Sequence, residues 1–425
     1  MPRVLLVGTG AREHALAWKL RQSAAVDDIF VAPGNGGTTQ VATNVPIQPR
    51  DIDGLVQAAK DLRINFYLAS MDDPQPLGLV DRLSAEGIPC YGPTAAASRL
   101  ESSKAWAKEF MTRHGIRTAG FATFGDHRAA TAHVDSQPEG EFWVKASGLA
   151  AGKGAIGCNS RAEAHEALEQ IMVRKEFGSA GDEVVIEQSL HGWETSAHAF
   201  CDGRVASLMP FASDHKRALD GNQGLNTGGM GAFSPSDLVS PDLTEAIRKD
   251  VVARVMTGMK EEGIPFSGTL FPGLIITDDG LYVLEFNARF GDPEAQVLMP
   301  RLESDLFEVC SAAAAGGLAN INVRWSSDHA VGVVLASGGY PSSYETGYEI
   351  SGLEAVDPDV VVFQAGTRNE GGRLVTSGGR VLTVVATAET LAHARERAYD
   401  NARRISFKDV HYRRDIATSA LRVED

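Results

Sequence analysis

VKASGLAAGKGAIG, residues 144–157, is a glycine-rich stretch set between two apolar runs. Gly148, Gly152, Gly154 and Gly157 let the backbone approach a ligand closely and take dihedral angles closed to other residues. Lys145 leaves the preceding strand, 142–145, and Lys153 sits inside the loop. Backbone N–H groups and two ammonium groups together make a polyphosphate cradle. The stretch is not a Walker A loop: Gly154 stands where Ser or Thr should follow the lysine, and the gap from Gly148 to Gly152 is one residue short. The strand on its far side makes it strand–loop–strand, as in a lid. On residue types alone, a flexible structural hairpin fits as well as an ATP loop.

Outward from this loop, VLEFNARFGDPE (residues 283–294) poses a second question. Residues 282–286 read as a strand. Period two puts Glu285 and Asn287 on one face, Phe286 and Ala288 on the other. A carboxylate and an amide carbonyl side by side are hard oxygen ligands of the kind Mg²⁺ takes. An edge strand with a solvated polar face has the same pattern.

The chain opens with RVLLVGTGAREHALAWKL, an apolar strand, a turn at Gly8-Thr9-Gly10 and a helix from near Arg12. This is a Rossmann-like βα unit. The G-x-G-x-x-G fingerprint fails at Glu13. Unpaired N–H groups of a first helical turn still suit a phosphate, and a plain tight turn fits equally. Further βα units follow through the short strands 29–31 and 64–69 and one near Ile88. Ser98 and Glu101 have capping-box spacing, and one helix is expected from there through Lys104 and Phe110 to Gly115.

From 121 to 190 the pattern turns to strands, the glycine loop and a helix over 161–172, with a strand at 184–187. A mixed region follows. Val252, Val255, Met256 and Met259 recur at helical spacing and read as core. Strands are expected at 330–335, 360–365 and 381–386, then a helix over 391–401. The expected architecture is multidomain α/β and α+β: residues 1–100 a Rossmann-like N-terminal domain, 101–120 with 192–324 a central domain, 121–191 a lid, and 325–425 a strand-rich C-terminal domain.

A third ligand-type loop is DHKRALDGNQGLNTGGMGAFSP, residues 214–235. Asp214, His215, Lys216 and Arg217 precede a turn of glycines, a density of charge and backbone freedom typical of binding loops. His215 reads either as a general base or as a structural or anion-binding group. No G-x-S-x-G elbow exists, so a serine triad is not supported.

Composition narrows the classes. The chain has 425 residues, enough for several domains, and a formal net charge of -15, which argues against non-specific nucleic-acid binding. Cys90, Cys158, Cys201 and Cys310 are dispersed with no C-x-x-C pair, so neither a zinc cluster nor a redox dithiol is indicated and a reducing compartment fits. With no cleavable-signal pattern and no apolar run of about 18 residues, the expectation is a cytoplasmic protein away from membranes.

Together these stretches resemble the glycinamide ribonucleotide synthetases (phosphoribosylamine–glycine ligases) of the ATP-grasp superfamily. The resemblance runs along nearly the whole chain: GTGAREHALAWKL, SRLESSKAWAKEFMTRHGI, KASGLAAGKG, residues 214–235, LEFNARFGDPEAQVLMPRLESDL, AGT at 365–367, TSGGRVL at 376–382 and YRRDI at 412–416. It implies an ATP-grasp fold and the ATP-dependent joining of glycine to 5-phosphoribosylamine through an acyl phosphate. It implies that Glu285 and Asn287 carry Mg²⁺ (or Mn²⁺). Lys104, Lys145 and the loop with Gly148, Gly152, Lys153 and Gly154 would meet the ATP phosphates. Glu187 and Leu190 would flank the adenine and Glu194 the ribose. Arg289, Asp292, Asp214 and Lys216 would line the acid and acyl phosphate. Gly8, Thr9, Gly10 and Asp72 would face the phosphoribosylamine, with Asn226, Thr227, Gly228, Gly229 and Pro293 also on the substrate side. Free phosphoribosylamine is labile, so transient contact with an upstream enzyme enters among the partners.

The chain departs from the family's usual pattern at Thr9 and Ala11, at Ser70-Met71-Asp72 in place of G-P-E, and at Ser147, Gln188, Trp193, Ser213, Leu225, Gln364 and Ala417. These positions spare the metal pair and the lysines but touch the substrate loops. Two alternatives follow: a paralogous carboxylate–amine ligase of a specialised, nucleoside-like pathway, or a nucleotide-binding homologue without turnover.

Overall fold

The computed structural model describes residues 2–150, 152–236 and 238–421; Ala151 of the glycine-rich loop lies outside them, as does the end of the C-terminal segment. The strand Arg3–Gly8 pairs in parallel on both sides, in a sheet ordered Thr43–Asn44, Asp28–Pro33, Arg3–Gly8, Phe66–Leu68, Cys90–Tyr91. A continuous apolar run suits a strand covered on both faces. Val4 and Leu6 pack towards the helix Ala11–Leu20, while Leu5 and Val7 pack towards Ile52–Asp61 and Leu79–Ala85. The strand order reverses beside Arg3–Gly8, which opens a crevice at the carboxyl ends of that strand and of Phe66–Leu68. Gly8-Thr9-Gly10 and Asp72 follow those two ends.

The single helix expected over 98–115 is two. Arg99–Ser102 ends at Ser103, whose backbone is extended (φ −141°, ψ 101°), and Lys104–Arg113 begins anew with Ser103 Oγ accepting from Trp106 N–H at 3.3 Å. The capping box at Ser98 does not form: Ser98 Oγ donates to Ala95 O, and Glu101 accepts from the distant Ala288 N–H at 2.8 Å. A local cap contributes about 1 kcal/mol; a buried charge-assisted contact competes successfully with it.

The lid sheet is antiparallel, ordered Phe121–Phe124, Val184–Gln188, Phe142–Ala146, Ala155–Cys158. Val144, Ala146, Val184 and Ile186 bury one face under the helices His127–Ser136 and Arg161–Leu168. Alternation therefore sends Lys145 and Glu187 to the other face. The helix expected over 161–172 stops at Leu168 and continues as a π turn, Glu169–Val173.

The long strand Ser267–Thr277 carries Gly280–Asn287 on one edge, and Trp193–Ser196 and Ala199–Asp202 on the other. Val252, Val255, Met256 and Met259 are all buried in the core beside it, as their spacing indicates. The last sheet runs Ser213–Asp214, Gly231–Ser234, His329–Ala336, Arg380–Ala388, Val361–Gln364. Both ends of the 214–235 stretch thus join a sheet built mainly from the C-terminal segment, while its middle projects as the hairpin Arg217–Leu219 with Gln223–Asn226. Ala417 has φ 64°. An L-residue there carries strain of about 1–2 kcal/mol, partly offset by burying its methyl group completely, about 0.8 kcal/mol. Among the described residues no helix is long and apolar enough to cross a membrane.

Candidate active site

The lid, the edge strand Gly280–Asn287 and the helix Lys104–Arg113 form the walls of a cleft. Lys104, Glu187, Glu285, Asn287, Arg289 and Asp72 line it, with Leu149 and Gly152 from the glycine loop. Residues from five separate stretches of sequence meet here. The edge-strand reading and the ligand reading of residues 283–294 turn out to be compatible: the strand is at an edge, and its polar face looks into the cleft.

Asn287 is held at both ends of its amide. Nδ2 donates to Phe271 O at 3.2 Å, and Oδ1 accepts from Arg289 Nη2 at 3.1 Å. Burial works against the Glu285 carboxylate, yet Lys104, Lys145, Lys216 and Arg289 outweigh it and keep its pKa below the ordinary value. Among the described residues no three His, Cys, Asp or Glu side chains gather as a ready-made metal cage. Two protein oxygens facing a phosphate-sized cleft nevertheless fit Mg²⁺, which binds through one or two carboxylates and completes its shell with phosphates and water.

Arg289 is locked in place. Its Nε donates to Glu101 Oε1 at 3.0 Å and its Nη1 to Phe290 O at 3.1 Å. Burial pushes the Glu101 carboxyl up to about 7 in spite of Arg289. The Asp292–Pro293 turn is held from the C-terminal sheet: Arg380 Nη2 donates to Asp292 Oδ2 at 2.8 Å, and Arg380 Nη1 to Asp292 O at 3.0 Å and Gly228 O at 2.6 Å. Burial opposes ionisation of Asp292, but Arg380 and Arg12 keep its pKa low. Gly229 cannot carry a side chain, because a Cβ there would lie 2.3 Å from Pro293 Cδ.

Around the lid, Lys145 Nζ is 3.0 Å from Glu187 Oε1. Gly148 is required by close approach: a Cβ would sit 2.7 Å from Ala180 Cα. Lys153 is exposed on the loop, and Leu190 is half-buried just past the strand Val184–Gln188. Lys216 pairs with Glu194 at 2.8 Å, both half-exposed at the rim. Burial pushes the neighbouring Asp214 carboxyl up, with Lys216 opposing. Asn226 is exposed, and Thr227 N–H and Oγ1 both bond to Lys216 O.

Two readings left open by the sequence narrow. At the first turn, Gly10 N–H is not left open: Glu13 Oε2 accepts from it at 2.7 Å, while Arg12 Nε donates to Glu13 Oε1 at 2.7 Å. The glutamate that breaks the dinucleotide fingerprint therefore caps its own helix. His215 is buried, accepts from Ala417 N–H at 3.4 Å, and is driven down to about 4 chiefly by burial and then by Arg413. That supports its structural reading. Sequence reasoning missed Glu101, Lys108 and Arg380. Lys108 was findable as the residue four after Lys104 on one helix face; Glu101 and Arg380 bond to residues far along the chain and left no local signal.

A Rossmann-like sheet, an antiparallel lid and a cleft lined by lysines, carboxylates and an amide define an ATP-grasp protein. The chain belongs to the phosphoribosylglycinamide synthetase family, matching its N domain over residues 2–101, its ATP-grasp (A) domain over 102–295 and its C domain over 330–419. It is 47% identical to the phosphoribosylamine–glycine ligase of Allochromatium vinosum, over 99% of both chains. It is also 47% identical to the trifunctional purine biosynthetic protein adenosine-3 of Gallus gallus, but spans only 42% of that protein's length. The crystal structure of phosphoribosylamine–glycine ligase from Thermotoga maritima superposes with a TM-score of 0.86 at 33% identity, covering 98% of this chain and 100% of that one. A biotin carboxylase domain from Hydrogenobacter thermophilus shares the fold at 16% identity and a TM-score of 0.73.

Proposed function

We propose that this chain joins glycine to 5-phosphoribosylamine at the expense of ATP, giving glycinamide ribonucleotide, ADP and phosphate. Family membership along nearly the whole chain, with a cleft lined by Lys104, Glu285 and Asn287 and with Lys145 paired to Glu187 in its wall, supports this reading most directly. A glycine carboxylate oxygen takes the terminal phosphoryl group of ATP and ADP leaves. The amine nitrogen then attacks the acyl carbon, phosphate departs, and the nitrogen loses a proton.

Lys104, Lys145 and the loop through Gly148, Gly152, Lys153 and Gly154 draw in the phosphates and offset charge as it spreads over their oxygens. Glu187 and Leu190 take the adenine edge, and Glu194 the ribose hydroxyls. Glu285 and Asn287 would hold Mg²⁺ (or Mn²⁺), which supplies charge neutralisation between phosphate groups. Arg289, fixed by Glu101, orients the glycine carboxylate, and Asp214, Lys216 and Asp292 line the acid and acyl phosphate beside it. The lid, residues 121–191, excludes water from the acyl phosphate. Gly8, Thr9, Gly10 and Asp72, at the switch point of the parallel sheet, face the phosphoribosylamine, and the loop 226–229 with Pro293 closes the substrate side. A neutral amine is already nucleophilic, so placing the two substrates together carries much of the rate gain. A cytoplasmic setting and a transient contact with the enzyme supplying the labile amine belong to the same proposal.

The test is an ADP-release assay with mass analysis of the product, using Mg-ATP, glycine and phosphoribosylamine made in situ, each omitted in turn. Turnover needing all three, with glycinamide ribonucleotide formed, is the expected result. ATP binding without turnover would overturn the substrate assignment and direct attention to other acids and amines.

A further inference from the structure

Lys108 takes no part in the steps above, yet it is one of the most enclosed charged groups in the molecule, at 2% exposure. It lies one turn after Lys104 on the helix Lys104–Arg113, and both line the cleft. Its Nζ donates to Glu187 Oε2 at 2.8 Å and to Thr118 Oγ1 at 2.6 Å. Thr118 Oγ1 donates in turn to Val283 O at 2.7 Å, on the strand that carries Glu285. Glu187 itself is 2% exposed and receives a second cation, Lys145, on its other oxygen.

The two lysines are not equivalent. Lys145 stands at the root of the glycine loop, and among the described residues its ammonium has Glu187 and the face of Trp143 as partners. It can turn to a phosphate. Lys108 is fixed by a threonine that is fixed by a strand, so it stays with Glu187 when Lys145 leaves.

We propose that Lys108, anchored by Thr118, is a positioning residue that fixes the orientation of the Glu187 carboxylate as a hydrogen-bond acceptor in the cleft wall, and so makes the site select an amino-bearing purine over its 6-oxo counterpart. The proposal rests on reading this cleft as the nucleotide site. An ionised carboxylate only accepts. The exocyclic amine of adenine donates to it, whereas the carbonyl of hypoxanthine presents a second acceptor and leaves both groups unpaired. Sites built to bond a particular donor discriminate strongly for that reason. Without Lys108, Glu187 Oε2 loses the donor that fixes it, and the carboxylate is no longer held against the amine. Selectivity would then collapse.

The experiment measures ADP and IDP binding to the full chain by calorimetry, for the wild type, Lys108→Met and Thr118→Val. The wild type is expected to prefer ADP at least tenfold. Lys108→Met is expected to lose at least tenfold of that ratio, mainly by weakening ADP, with folding verified by thermal melting. Thr118→Val is expected to move the ratio the same way by a smaller factor, and decides the matter alone if Lys108→Met does not fold. Equal weakening of both nucleotides, an unchanged ratio in a folded variant, or a wild type that does not distinguish ADP from IDP would overturn the proposal. These readouts need no turnover: a wild type that prefers ADP but makes no glycinamide ribonucleotide would count against the ligase reading and not against the role of Lys108.

Discussion

Arg380 Nη2 lies 2.8 Å from Asp292 Oδ2, across 88 residues of sequence, while the other arm of the same guanidinium holds Gly228 O and Asp292 O. One side chain of the C-terminal sheet thus ties the Asp-Pro turn to the Gly228-Gly229 turn. Arg380→Met is expected to lower kcat/KM for glycine ligation about 10- to 100-fold, since misplacing bound groups by about 1 Å costs that much. Arg380→Lys should recover little, because a single ammonium cannot make the forked contact. Steady-state kinetics check this; full activity in Arg380→Met would remove the clamp from the mechanism.

Glu285→Ala is expected to abolish turnover with little loss of folding, because its carboxylate faces the cleft and not the core. Calorimetric titration of Mn²⁺ in the presence of ADP should show weaker metal binding in this variant. Wild-type metal affinity and turnover would refute the assignment of Glu285 as a ligand.

The Glu101–Arg289 pair gives a pH dependence. Glu101 is pushed up to about 7 by burial, from an ordinary 4.5. Protonation removes the charge that fixes Arg289, so kcat/KM should fall about tenfold per pH unit well below 7. Its effect on folding has the opposite sign. Between pH 4.5 and 7 the native state holds a proton that the unfolded chain has lost, so this group favours folding at low pH and that contribution fades as pH rises to 7. Glu101→Gln should flatten the acid limb while lowering activity; an unchanged profile would discard the pair as its origin.

Arg413 is 1% exposed and is met by both oxygens of Asp415, at 2.7 Å each. Asp415→Ala strands that guanidinium. A loss of about 2–3 kcal/mol is expected, less than for a wholly buried pair because Asp415 is partly open to solvent. Although burial opposes it, Arg413 and Gly221 N–H bring the Asp415 carboxyl down to about 2. Its contribution is therefore complete above about pH 4 and is lost as pH falls through about 2. Urea unfolding across that range measures both effects.

Asp72→Ala should raise KM for the amine before it affects ATP binding, as its place at the carboxyl ends of the parallel strands requires. A selective loss of nucleotide affinity would reassign it.

Periodicity and turn chemistry, which act over a few residues, were legible in the sequence. The all-apolar 4–7 run dictated a strand buried on both faces. Alternation through 142–145 and 283–287 placed Lys145, Glu285 and Asn287 on the faces they occupy, and the glycines of 148–157 marked a loop that a backbone approaches closely. Whatever depends on which distant segment arrives opposite was decided by the tertiary structure. Glu101 abandoned its capping box because Ala288 N–H and Arg289 offered a buried charge better partners than its own helix. Arg380 reached Asp292, Lys108 closed on Glu187, and residues 213–214 and 231–234 joined a sheet begun a hundred residues later. Local pattern fixes which way a side chain points; only long-range packing fixes what it meets, because the free energy of a buried contact depends on both partners losing water together.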